Sequence, residues 1–279
     1  MVLYSIIITT AYEHKLLTKC IESINPIENY EILIIAPDKN SEKIAKKHNC
    51  IYIKDKGKGK IAALNLSLKH AKGDILIFTD GDCVINNIEY LQDVFDDKKI
   101  GLATGKVIPK DKIIKTKWNF FHSFLLNAAD YIRKKEKFIE ATGYLMAVRK
   151  KLIKEFPYDV AEDSWLSTEI YKQGYNIAYV PNSTVAVMGP QNVKDWVNQK
   201  TRTAMAHEKQ QGIKIKTFKN EIIEGLKFTL KQKLSLKELF IWLPQLYVLR
   251  LYVWLKVKIL TKNHIYYKDG WKPVMSTKL

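Results

Sequence analysis

The sequence predicts an α/β fold: a mostly parallel, Rossmann-like central sheet flanked by helices, followed by a basic helical appendage. Three observations carry that expectation. Short β-branched runs alternate with helically spaced apolar segments through the first hundred residues, a pattern that builds parallel sheets from βαβ units. One of these runs, Ile75 to Thr79, leads straight into Asp80-Gly81-Asp82, and in an open α/β sheet ligands gather at the carboxyl ends of strands. From Lys209 onward the composition changes to lysine-flanked apolar stretches.

Taken in order, Leu3 to Thr9 reads as a first strand. Met1 leads into it without a basic n-region or a small-residue cleavage site, so no signal peptide is expected. Leu16 to Ile24 has helical spacing, Glu31 to Ala36 and Cys50 to Ile53 read as strands, Ile61 to Ala71 as a helix, and Ile75 to Thr79 as the next strand. No G-x-G-x-x-G follows the first strand, so a dinucleotide cofactor is not indicated. Lys56-Gly-Lys-Gly-Lys60 has the look of a phosphate loop but lacks the G-K-[ST] ending. Beyond it, a strand is expected over Leu102 to Ile108 and a long helix over Trp118 to Ile132. A helix over Ser164 to Gln173, strands over Ile177 to Val180 and Val185 to Met188, and a polar helix over Val193 to Lys209 follow. No Pro/Gly/Ser-rich linker interrupts residues 1–208, so they are read as one domain with halves 1–105 and 106–208 sharing a core, and 209–279 as the appendage.

The chain is 47% hydrophobic over 279 residues, which excludes disorder, and its 46 Lys+Arg against 29 Asp+Glu leave it at +17. An anionic partner follows: nucleic acid, acidic lipid or a phosphorylated substrate. Only Arg133, Arg149, Arg202 and Arg250 are arginine, leaving 42 lysines. Diffuse point charge of that kind is poorly suited to bidentate base readout, so nucleic acid is disfavoured. Cys20, Cys50 and Cys83 form no C-x-x-C pair, which points to neither a disulfide framework nor a cysteine zinc site, and to a reducing cytoplasm.

The appendage carries 15 Lys+Arg and 4 Asp+Glu, most of the chain's positive excess. Ile215, Phe218, Ile222, Leu226 and Leu230 form a helical stripe, and Leu239 to Leu255 is strongly apolar but broken by Pro244, Gln245 and Arg250. That run is too interrupted for a bilayer-spanning helix. Two readings stand, helices lying in a membrane interface and a helical lid packed on the domain, with the first preferred.

Asp80 and Asp82, two apart with only a glycine between them, can project together and repel each other, and a divalent cation relieves that repulsion. In order along residues 1 to 210, this and five other segments resemble glycosyltransferase family 2. They are Ser5-Ile-Ile-Ile-Thr-Thr-Ala-Tyr-Glu13, Lys58-Gly-Lys-Ile-Ala-Ala-Leu-Asn65, Glu140-Ala-Thr-Gly-Tyr-Leu-Met-Ala-Val-Arg149, Ala161-Glu-Asp163 and Gln199-Lys-Thr-Arg202. The chain departs from that family at Thr9, Ala11 and Tyr12, where Pro, Tyr and Asn are usual. It departs again at Ala36-Pro-Asp38, where Asp-Asp-Gly is usual, and at Thr203, which replaces the tryptophan of Q-x-x-R-W and favours transfer of a single sugar.

The resemblance implies a GT-A fold and transfer of a sugar, with inversion, from a UDP- or GDP-sugar in the presence of Mg²⁺ or Mn²⁺. It assigns Asp163 as the base that takes the acceptor's proton. Asp82, with Asp80 on the same metal or on the ribose, holds the cation, and His207 is a further candidate ligand. Thr9, Glu13, Asp38, Lys60, Asn65, Asp80, Gln199 and Arg202 are expected around the donor. Lys60 and the free N–H groups of its helix would face phosphate, and the fork of Arg202 would clamp diphosphate. Gly143, Tyr144, Glu162 and Trp165 are expected on the acceptor side. For several of these a structural role is the alternative: Asn65 as a contact within the fold, Glu13 and the Glu162-Asp163 pair as acids beside a helix N-terminus, Trp165 as packing. With the basic appendage the resemblance points to a glycan or polyprenyl-phosphate-linked acceptor at the inner face of the cell membrane. The competing reading is a non-catalytic basic protein that uses this fold to hold anionic lipid or RNA. A sugar nucleotidyltransferase would want G-x-G-x-R after the first strand, where Thr10-Ala-Tyr-Glu-His stands.

Overall fold

The computed structural model describes residues 2–12, 14–24, 28–111, 113–136, 138–209, 218–265 and 275–277. The first half runs β1 (Tyr4–Thr9), α1 (His14–Ser23), β2 (Tyr30–Ala36), α2 (Lys39–Lys47), β3 (Ile51–Lys54), α3 (Lys60–His70), β4 (Ile75–Asp80), β5 (Val84–Asn86) and the short α4 (Tyr90–Asp93). The second continues with β6 (Ile100–Pro109), α5 (Lys117–Arg133), β7 (Leu145–Arg149), α6 (Glu162–Lys172), β8 (Asn176–Val187) and α7 (Val193–Lys209). The appendage adds α8 (Phe218–Thr229), a π-helical turn over Glu238–Trp242 and α9 (Leu243–Lys262).

The eight strands form one sheet in the order β3-β2-β1-β4-β7-β6-β8-β5. β1, β2, β3 and β4 run parallel, as do β6 and β8, while β7 is antiparallel to both of its neighbours and β5 is antiparallel to β8. All six residues of β1 are buried, as a central strand covered on both faces requires. Alternate side chains enter opposite layers: Ile6, Ile8, Ile75 and Ile77 join the core on one face, Ile7, Leu76 and Phe78 that on the other.

The expected strands and helices appear within one or two residues, with one difference at Ile177 to Met188. The two strands expected there are the single β8, whose register against β6 slips between Gly105 and Lys106, where the chain passes Pro181, Asn182 and Ser183. Proline has no N–H for the ladder, so a break in pairing there is natural. The line between the halves at 105/106 falls inside β6.

The strand least expected, β7, does most to build the site. It runs antiparallel to β4 with Thr79 opposite Leu145, so the segment that enters β7, Thr142 to Tyr144, arrives beside the carboxyl end of β4. The Thr79 hydroxyl donates to the Tyr144 carbonyl at 2.8 Å and secures that approach.

The appendage packs on the domain. Phe120, Phe121 and Phe124 of α5 and Trp196 of α7 form a third core with Phe228, Leu243, Leu246, Val253 and Val257. The aromatic rings meet edge-on or tilted, at centroid distances of 5.1 Å for Phe124 with Phe228 and 5.7 Å for Phe120 with Trp242. The packed-lid reading therefore describes one face of these helices. Their other face is apolar too: Phe240, Val248, Leu251, Tyr252, Leu255 and Ile259 are exposed. Among the described residues no helix is long and apolar enough to cross a membrane. Of the stripe expected on α8, Leu226 and Leu230 are exposed, and Ile215 lies outside the described residues.

Candidate active site

The site grows from Lys60, the first residue of α3. Its Nζ lies 2.8 Å from Asp80 Oδ1 and 2.9 Å from Glu162 Oε1, and it donates to the Gly143 carbonyl at 3.2 Å. One ammonium thus joins the end of β4, the start of α6 and the loop before β7. Burial alone would lower its pKa, but the two carboxylates outweigh that and hold it well above the ordinary lysine range.

Around that cation the acids are unequal. For Glu162 burial opposes ionisation, yet Lys60 prevails and its pKa is lowered. Asp82 is less well compensated: burial and the Asp80 charge push it up to about 6, with Lys60 pulling the other way. Asp163 is raised by burial, then by Glu162 and Glu140, against smaller opposing effects of His207 and the Gly143 N–H. Its two oxygens are fixed, Oδ2 accepting from Gly143 N at 2.9 Å and Oδ1 from Ser164 N at 2.8 Å.

Gly143 sits among Lys60, Glu162 and Asp163. A Cβ there would stand 2.8 Å from Glu162 Oε1, 3.4 Å from Lys60 Nζ and 3.5 Å from Asp163 Oδ2. A side chain there would have to displace the Glu162 carboxylate, so glycine lets this loop close over the acids while its N–H and carbonyl both serve the site.

The family's sequence profile, glycosyl transferase family 2, matches residues 5–156, more than half of the chain, from the second residue of β1 to beyond the end of β7. This chain belongs to glycosyl transferase family 2. A relative in Methanococcus voltae, dolichyl N-acetyl-alpha-D-glucosaminyl phosphate 3-beta-D-2,3-diacetamido-2,3-dideoxy-beta-D-glucuronosyltransferase, is 30% identical over 227 residues, 70% of each protein. A probable glycosyltransferase of Bacillus subtilis is 29% identical over 163 residues, 54% of this chain and 39% of that protein. Among solved structures, a Pyrobaculum calidifontis mannosyltransferase in complex with GDP-Man and Mn²⁺ superposes with a TM-score of 0.56 at 18% identity, over 91% of this chain and 72% of that one. Glucosyl-3-phosphoglycerate synthase from Mycobacterium tuberculosis gives 0.55 at 15% identity, over 74% and 78%. The fold is the GT-A fold expected from the family 2 resemblance.

Of the family 2 residues singled out in the sequence, Lys60, Asp80, Asp82, Gly143, Tyr144, Glu162 and Asp163 converge. Thr9 is buried and its hydroxyl donates to Asp80 Oδ1 at 3.2 Å, so it orients the acid. Asp38 caps α2, accepting from Asn40 N at 3.1 Å and Ser41 N at 2.9 Å, with Tyr12 N at 3.4 Å on its other oxygen. Asn65 is the contact within the fold: its amide donates to the Phe156 carbonyl at 2.9 Å and accepts from Phe156 N at 2.7 Å, so both ends are engaged by backbone. Trp165 packs on Phe156 at a centroid distance of 5.8 Å.

His207 stands beside Glu140. Its Nδ1 lies 3.6 Å from Glu140 Oε1, on the Asp163 side. Among the described residues no three of His, Cys, Asp and Glu converge as a metal-holding group. Arg202, exposed on α7, is near enough to lower the Glu162 pKa, with Gln199 one turn before it on the same helix. Glu13 lies outside the described residues. Glu140 was not among the expected site residues, although it opens the Glu140-Ala-Thr-Gly143 segment. The signal available was an acid leading into a glycine loop otherwise made of apolar and hydroxyl residues.

Proposed function

We propose that this chain is an inverting, metal-dependent glycosyltransferase that moves a sugar from a UDP- or GDP-sugar to a hydroxyl or phosphate on a lipid-linked acceptor. The observation that carries the proposal is the Lys60 bridge, which sets the acids ending β4 and the acids opening α6 on two sides of one cluster. The first pair is suited to a donor's diphosphate with its cation, the second to an acceptor.

Asp82 and Asp80 fit a divalent ion. They are hard oxygen donors whose mutual repulsion Lys60 relieves only in part, and two carboxylates completed by substrate phosphates and water are a common way to hold Mg²⁺. The structures in complex with Mn²⁺ and either GDP-Man or UDP support the same reading. When bound, the ion neutralises the departing diphosphate. Lys60 contributes a second positive charge at the diphosphate, and Arg202 with Gln199 can close on the phosphates from α7. Asp163, aimed by two backbone N–H groups and raised in pKa, takes the acceptor's proton as the acceptor oxygen bonds to the anomeric carbon from the face opposite the breaking bond to diphosphate. Glu162, Gly143, Tyr144 and Trp165 line the acceptor side.

A lipid-linked acceptor is supported by the name of the Methanococcus voltae relative, which specifies a dolichyl phosphate glycan. It is supported too by α9, where Val248, Leu251, Tyr252, Leu255 and Ile259 form an exposed apolar stripe at helical spacing, with Lys258 stacked 3.8 Å over Trp254. Such a helix can lie on the inner face of the cell membrane. A thermal-shift screen of UDP-, GDP- and dTDP-sugars with Mn²⁺ tests the donor half: one of them should raise Tm, and only with metal. No shift with any of them would overturn the donor assignment.

A further inference from the structure

The loop Lys56-Gly-Lys-Gly-Lys60 contributes only its last lysine to the catalytic cluster. Lys56 and Lys58 instead line a separate groove of about 530 Å³ between α3 and the segment that includes Lys154 and Tyr158. That volume is within the usual range for small-ligand sites. Neither Asp80, Asp82 nor Asp163 is part of its lining.

The charge in this groove is one-sided. Lys54 and Lys69 join Lys56, Lys58 and Lys154, and among the described residues none of the five is in an ion pair. Among the described residues of the lining, only Asp55 and Glu155 oppose them. Asp55 is directed into its own loop, where Oδ1 accepts from Gly57 N at 2.7 Å. Gly57 has a φ of 63°, a left-handed conformation that glycine adopts without strain, and the resulting turn carries Lys56 and Lys58 on either side of it. Concave surfaces lined by one sign of charge focus potential and concentrate counter-ions. Lysine ammoniums, as compact point charges, suit phosphate. Ala62, Leu66 and Leu68 supply apolar lining and Tyr158, 55% exposed, a hydroxyl and a ring face.

We infer that this groove is a second anion site, which binds a ligand carrying two or three phosphate charges independently of the catalytic cluster. The inference does not rest on the catalytic reading. The phosphate can belong to a lipid headgroup or to a free phosphorylated molecule, and two arms separate them. In the first, calorimetry with inorganic pyrophosphate in EDTA compares the full chain with the Lys56→Gln/Lys58→Gln/Lys154→Gln variant. Loss of three charge-assisted contacts should weaken binding about tenfold or more. The surface control Lys43→Gln/Lys47→Gln/Lys98→Gln should bind as the unmodified chain does, and Arg202→Ala, which can weaken pyrophosphate only at the catalytic cleft, should keep the groove's binding event. Equal weakening by the surface control would reduce the effect to diffuse charge, and loss only in Arg202→Ala would move it to the catalytic cleft; either overturns the inference, as does unchanged binding in the triple groove variant. In the second arm, flotation on phosphatidylcholine vesicles containing phosphatidic acid should fall in the groove variant if the natural ligand is a headgroup. Flotation that stays level while pyrophosphate affinity is lost assigns the groove to a free phosphate ligand.

Discussion

Asp82→Asn should stabilise the metal-free protein while removing its activity. Burial and Asp80 raise this carboxyl to about 6 from an ordinary 3.8, so holding it ionised at neutral pH opposes folding. Two pKa units, at 1.36 kcal/mol each, set a ceiling of about 3 kcal/mol. The neutral amide recovers about 1–3 kcal/mol of this, a rise in Tm of about 2–8 °C for a chain of this size. The sign follows from linkage: a carboxyl whose pKa is raised on folding destabilises the native state fully above its folded pKa, and that penalty vanishes as pH falls towards the unfolded value. The advantage of the variant should therefore be full at pH 7.5, shrink through pH 6 and be gone near pH 4. Scanning calorimetry in EDTA at several pH values reads it directly. Adding Mn²⁺ with a donor sugar should reverse the order, because only the unmodified protein gains from the ion. A variant no more stable than the parent at pH 7.5, or a difference indifferent to pH, would refute the reasoning.

Other outcomes follow from the same geometry. Lys60→Met leaves Asp80 and Glu162 buried without their shared countercharge and should lose about 3–5 kcal/mol in urea unfolding, less at acid pH where the acids protonate. Were its stability unchanged, the bridge would not organise the site. Gly143→Ala should keep the fold, because the nearest obstacle is the end of the Glu162 side chain, but by displacing that acid it should slow transfer by about 10²-fold. For the appendage, deletion of residues 209–279 is a poor test, since it strips Phe120, Phe124 and Trp196 of their partners. Val248→Ser/Leu251→Ser/Leu255→Ser instead alters the exposed face of α9; it should abolish flotation on anionic vesicles and leave Tm within a few degrees.

The acidic strand end was legible because an apolar run followed by D-x-D is a local pattern, and the same holds for the alternation of β1 to α3. β7 was not, since Leu145 to Arg149 is a short apolar run whose antiparallel insertion between β4 and β6 depends on partners 42 to 74 residues away. Asp38 and Asn65 show another limit. A polar residue at a motif position looks the same whether it meets a ligand or ties backbone, and in the fold Asp38 caps a helix and Asn65 holds Phe156. The tail was ambiguous because α9 is apolar on two sides: Leu246, Val253 and Val257 enter the third core while Val248, Leu251 and Leu255 stay outside.

The most direct test of the whole account is single-turnover transfer of a radiolabelled sugar from its UDP or GDP donor to a polyprenyl-linked acceptor with Mn²⁺, comparing the unmodified chain with Asp163→Asn and determining the product's anomeric configuration by NMR. The account predicts inversion, and a rate lowered about 10²–10⁴-fold in the variant while its donor affinity is kept. Undiminished transfer by Asp163→Asn, or a product that retains the donor's configuration, would contradict it.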